Sequence, residues 1–89
     1  MEKFYTKIDD RNYIFDAKVL LNDFYKTLQI NEDIFEQERG DSDTLAGLIL
    51  EVLGELPRQN TEVKIKKFTF TVTSGDNRKI NKLHVKINS

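Results

Sequence analysis

Apolar positions along the chain keep two different periods. Leu45, Leu48, Ile49, Val52, Leu53 and Leu56 recur at i, i+3, i+4, i+7, i+8 and i+11, the core stripe of an amphipathic helix. Asp41, Ser42 and Asp43 precede it and offer an N-cap, with negative charge at the positive end of the helix dipole. Gly54 is placed for a left-handed C-terminal cap, Leu56 can close over it, and Pro57 stops continuation. These signals predict a helix over about 42–53. From Thr61 the period becomes two. Val63 and Ile65 alternate with Lys64 and Lys66, then Phe68, Phe70 and Val72 alternate with Thr69, Thr71 and Thr73. The apolar parity flips between 65 and 68, which one continuous strand would not allow, so a turn is predicted at Lys66-Lys67. Ser74-Gly75-Asp76-Asn77 predicts a second turn. Leu83, Val85 and Ile87 form a last strand. Ile80 is out of phase with it, which suggests a bulge or the end of the turn.

The N-terminal half is less regular. Residues 1–11 are polar and read as a linker or loose arm. Tyr13-Ile14-Phe15 is β-prone. Asn22 is a suitable N-cap for a short helix over about 23–29, with Leu21, Phe24, Tyr25 and Leu28 at helical spacing. Residues 31–43 hold six carboxylates and one Arg, with Ile34 and Phe35 as the apolar anchors of a loop or single turn. The expected architecture is one α+β domain over 12–89. A small antiparallel sheet of about four strands would pack against the central helix and the short one. Gly47 interrupts the central helix at a cost of roughly 1 kcal/mol relative to alanine. Beside Ala46, it predicts a close approach of the helix backbone to a neighbouring strand.

Composition narrows the chemistry. The chain has 89 residues, enough for one domain with a small core. It has no Cys, so there is neither a disulfide framework nor a thiolate metal site. No apolar run exceeds three residues, whereas a helical membrane span needs about 20. Catalysis is poorly provided for. His84 is the single histidine and falls on the polar face of the last strand. No serine sits in a nucleophile-elbow pattern, and the four glycines form neither GxGxxG nor a Walker loop. The net charge of -1 hides a division: residues 1–57 hold 13 Asp/Glu against 6 Lys/Arg, and residues 58–89 hold 2 against 8. Opposite charges on two halves can mark partner surfaces or draw the halves together. The acidic segment could serve a divalent cation, but it lacks fixed ligand spacing. The basic hairpins interleave Phe68 and Phe70 on the apolar parity. That argues against a stacking platform for nucleic acid.

Taken in order, Asp43-Thr44-Leu45-Ala46-Gly47 through Gly54 to Pro57, then Phe68-Thr69-Phe70, then Asn77-Arg78-Lys79-Ile80 resemble the CorC/HlyC transporter-associated domain. Tyr13-Ile14-Phe15-Asp16 and Leu21-Asn22-Asp23-Phe24 resemble its first strand and short helix. Lys66-Lys67 replaces the Asp-Gly turn usual in that family. The resemblance implies a fold akin to a subdomain of FAD-binding oxidoreductases, without a pyrophosphate loop and with no cofactor. It also implies a non-catalytic, regulatory domain on the cytoplasmic side of a hemolysin-like or magnesium/cobalt-efflux membrane protein. Its partners would be the CBS domains and transmembrane domain of its own parent chain, or a second copy of itself, with neither nucleic acid nor direct membrane insertion. The surfaces expected to dock are Glu32, Asp33, Glu36 and Glu38 on one side and Lys64, Lys66 and Lys67 on the other. Gly47, Gly54 and Pro57 are expected to be structural. The alternative is a small-ligand module for a divalent cation or a nucleotide or flavin.

Overall fold

Alternation of period two over three C-terminal segments builds most of a five-stranded antiparallel sheet. The computed structural model describes residues 4–88. Its strands are β1 (Tyr5–Asp9), β2 (Asn12–Asp16), β3 (Glu62–Ile65), β4 (Phe68–Gly75) and β5 (Ile80–Ile87). The sheet order is β1-β2-β5-β4-β3. Two helices, α1 (Leu21–Leu28) and α2 (Leu45–Leu53), lie between β2 and β3 in the chain.

The first strand corrects the expectation of a loose arm over residues 1–11. Its side chains are mostly exposed, so no apolar pattern marks it. It is held by pairing with β2, Tyr5 opposite Phe15 and Thr6 opposite Ile14. The Tyr5 ring lies 5.5 Å from that of Phe15. Residues 1–3 of that arm and residue 89 lie outside the described residues.

The turn at Lys66-Lys67 is where the parity flip placed it. Ile65 pairs with Phe68, and Lys66 takes a φ of 58°, the left-handed geometry a two-residue hairpin needs. The bulge also appears: the β4–β5 register shifts between Val72 and Ser74 and again before Gly75. Those shifts return Ile80 to the buried face.

One face of the sheet carries the core. Phe15, Phe68, Phe70, Leu83 and Val85 are fully buried there, beneath Leu21 and Phe24 of α1 and Leu45, Leu48 and Ile49 of α2. Phe24 lies at the centre of an aromatic cluster. Its ring centroid is 4.8 Å from Phe15, 6.0 Å from Phe68 and 6.1 Å from Phe70. Each such burial is worth about 1.5–3 kcal/mol. The stripe on α2 does not bury along its whole length. Val52 is 40 % exposed, while Leu53 and Leu56 pack only partly against the core. The stripe's period tells which side of a helix is apolar, but the extent of the layer beneath decides how much of it is covered.

The two helices begin side by side. Leu20 bridges Thr44, Leu21 N–H donates to Asp43 O, Leu45 N–H to Val19 O and Ala46 N–H to Ala17 O. The first N–H groups of a helix have no partner within it. On α2, backbone carbonyls and one hydroxyl supply those of Leu45, Ala46 and Gly47. The cap is Thr44, whose Oγ1 accepts from Gly47 N–H at 3.0 Å, so the cap lies one residue beyond the Asp41–Asp43 run. On α1 the capping residue is Leu20, without a side-chain hydrogen bond. Asn22, the predicted cap, sits inside that helix. Gly54 closes α2 at φ 77°, in the left-handed region that glycine enters most easily.

Gly47 makes a close approach, but not to a strand. A Cβ there would stand 2.8 Å from Ser42 Cβ and 3.1 Å from Thr44 Oγ1. The contact is between the helix and its own capping loop. Gly47→Ala is therefore expected to lower stability by about 1 kcal/mol, overpacking outweighing the better helix propensity of alanine. Ser42→Gly in the same chain should recover most of the loss. Urea unfolding of the single and double variants measures both. A neutral or stabilised Gly47→Ala chain would show that the loop gives way freely.

Candidate docking surface

The expected acidic surface is a chain of turns. Ile34 N–H donates to Asn31 O, Glu36 N–H to Asp33 O, and Glu38 and Arg39 N–H to Phe35 O. Phe35 is fully buried, with its ring 5.7 Å from Phe68 and 6.2 Å from Phe70. This one side chain fixes the segment to the sheet, and Ile34 adds a partly buried contact.

Arg39 organises the charges around it. Its guanidinium lies 3.1 Å from Asp43 and 3.6 Å from Glu36, and its Nε–H donates to Ser42 O at 3.0 Å. A surface depression of about 370 Å³ is lined by Asn22, Asn31, Glu32, Asp33, Glu36 and Arg39. Three of the four expected acidic residues thus share one shallow site with a cation in its wall. That charge works against a divalent metal, and no group of three or more His, Cys, Asp or Glu among the described residues is placed to hold one. Beneath it, burial pushes the Tyr25 phenol above its ordinary value, with Arg39 opposing.

The fourth acidic residue is elsewhere. Glu38 Oε2 lies 3.5 Å from Lys66 Nζ, while Glu38 Oε1 is buried with no hydrogen-bond partner among the described residues. The charge division of the sequence is partly neutralised inside the fold: an acidic and a basic member of the expected surfaces face each other. Sequence reasoning named both residues and missed their pairing, because the contact joins the 31–43 segment to a turn 28 positions later in the chain. The three lysines also separate. Lys66 is engaged. Lys67 is exposed at the turn, its ammonium 5.8 Å from the Phe68 ring. Lys64 is exposed on β3, on the parity opposite to buried Val63 and Ile65.

At the far end of the β4–β5 hairpin, Asp76 accepts from the N–H groups of Arg78 and Lys79 at 2.8 and 3.0 Å. These bonds hold its carboxyl below the usual carboxylate range. Asp9 is lowered too, chiefly by the Asn12 side chain and then by Arg11 N–H. Both carboxylates fix turns. His84 is half-buried on the sheet face away from the helices, between Ile14 and Thr71 in register. No helix of the described residues is long and apolar enough to cross a membrane.

A single antiparallel sheet with two helices on one face defines a small α+β domain. The same architecture occurs in the transporter associated domain of a CBS domain protein from Porphyromonas gingivalis. That solved structure has 30 % sequence identity and a TM-score of 0.89, covering 98 % of this chain and 100 % of that one. The profile of the transporter associated domain family, CorC_HlyC, matches residues 6–89. The chain belongs to this family. Among curated proteins it is 30 % identical over 77 residues to hemolysin C of Brachyspira hyodysenteriae, covering 86 % of this chain. It is 32 % identical over 76 residues to the magnesium and cobalt efflux protein CorC of Buchnera aphidicola from Schizaphis graminum, covering 83 %. The chain spans about a quarter of the length of these two relatives, 27 % and 24 %.

Proposed function

We propose that this domain is a non-catalytic regulator of a hemolysin-like or magnesium/cobalt-efflux membrane protein, acting by docking to neighbouring cytosolic CBS domains or to its own copy. The observation that carries the reading is the distribution of exposed charge. Glu32, Asp33 and Glu36 are exposed around one depression. Lys67 is exposed at the turn between β3 and β4. Docking biases transport only if the domain binds one transport state better than another. Complementary charged patches suit such a reversible contact, because they set orientation and partner choice.

Lys67 is the cleaner probe of the basic side, since Lys66 already has a partner within the fold. Lys67→Glu in the full-length parent protein is expected to weaken association of the domain with the CBS region by about tenfold at low salt. Joint reversal of Glu32, Asp33 and Glu36 to lysine should do the same. Cross-linking yield and calorimetry with the CBS region read the effect. Association that is unchanged in both variants at low salt would rule these patches out.

A further inference from the structure

We propose that the free edge of β3 pairs, antiparallel and in a single register, with β3 of a second copy of this chain. The strand is the last of the sheet, so among the described residues one side of it has no neighbouring strand. Val72 N–H donates to Thr61 O at 3.0 Å, and the register continues with Val63 opposite Phe70 and Ile65 opposite Phe68. Hydrogen-bonding direction alternates along an antiparallel strand. Val63 and Ile65 therefore direct their backbone groups to β4. Glu62 and Lys64 direct theirs outward.

Those two residues are exposed, carry opposite charges, and stand two apart. Neither takes part in an ion pair among the described residues. Two-fold pairing centred on Val63 sets Glu62 of one copy opposite Lys64 of the other, and Lys64 opposite Glu62. Each of these pairs exchanges both backbone hydrogen bonds, and their side chains meet on the same face with opposite sign. Val63 meets Val63 on the helix-covered face. Charges on an edge strand ordinarily deter pairing. Here they deter other registers and most other strands, and favour this chain's own edge. The opposite edge has no such symmetry. The β1–β2 register breaks between Lys7 and Asp9, and Asp9-Asp10 follows with like charges.

This pairing specifies the self-association arm of the docking reading. It rests on Glu62 and Lys64, whereas the test of CBS docking uses Lys67 and the acidic depression, so either can fail alone. Sedimentation equilibrium of the 89-residue chain at low ionic strength, up to millimolar protein, reads it directly. A monomer–dimer equilibrium is expected. Glu62→Lys and Lys64→Glu should each weaken it by about tenfold, since each places like charges opposite one another at both ends. The double exchange Glu62→Lys/Lys64→Glu should restore it to near the wild-type value. Amide exchange at Glu62 and Lys64 should slow as concentration rises. A chain that stays monomeric, a dimer indifferent to the single reversals, or a double exchange that fails to restore pairing would each overturn the proposal. All these side chains are exposed, and unchanged thermal unfolding of dilute samples confirms that the variants fold.

Discussion

Phe35→Ala is expected to remove about 3–5 kcal/mol of stability. A chain of this length holds about 4–13 kcal/mol in total, so this one truncation removes from about a quarter of that margin to all of it. The ring is fully buried and touches the aromatic cluster on several sides, with Phe24 at 6.3 Å and Tyr25 at 6.0 Å in addition to Phe68 and Phe70. Truncation leaves a cavity that stiff aromatic neighbours fill poorly. Urea unfolding followed by far-UV circular dichroism gives the size of the loss. Ile34→Ala, on a partly buried neighbour, should cost about 1 kcal/mol. Equal small losses for the two would mean that the acidic segment rests on the sheet without an anchor.

Lys66→Glu is the second large effect, expected at about 1–3 kcal/mol. An exposed ion pair contributes little, about 0–1 kcal/mol. Reversal is worse than loss here, because the Glu38 side chain is only 25 % exposed and one of its oxygens is buried. A second carboxylate would face a charge that water screens poorly. Lys66→Gln should cost less than about 1 kcal/mol, and added salt should narrow the gap between the two variants. Denaturation midpoints at low and high salt measure this. If reversal and neutralisation cost the same at low salt, the Glu38 contact contributes nothing electrostatic. The same contact cautions against reading function from Lys66 variants. Weakened docking in a Lys66→Glu protein could reflect a displaced acidic segment, which is why Lys67 carries the functional test.

The elements that were legible in the sequence are those whose signal is local. The parity flip between Ile65 and Phe68 fixed a turn without reference to anything distant. So did Gly54 and Pro57 at the end of α2, and the misplaced Ile80 at the bulge. What escaped was tertiary. β1 is a strand because β2 offers it an edge and Phe15 a ring surface, and five polar-patterned residues do not announce that. Thr44 rather than Asp41, Ser42 or Asp43 caps α2 because the chain at 17–19 runs alongside and takes the next two N–H groups. Val52 belongs to the helical stripe by period but lies where the core no longer reaches. For the surface, sequence reasoning chose an acidic and a basic group of residues and assumed they acted as two sets. The fold puts Glu38 on Lys66, Glu36 on Arg39, and Lys64 on an edge by itself.

The stitched start of the two helices has a mechanical consequence. The acidic segment leaves α1 and returns into α2, whose first turns share backbone hydrogen bonds through Leu20, Leu21, Thr44 and Leu45. Ala17, at the root of that junction, donates its own N–H to Asn81 of β5. A pull on the acidic turns would load this row of bonds from the Asp43 end, Leu21 N–H to Asp43 O first, then Leu45 N–H to Val19 O and Ala46 N–H to Ala17 O. Beyond them comes the bond from Ala17 to β5, the middle strand of the sheet. A surface segment rich in charge is by this route tied to the centre of the sheet.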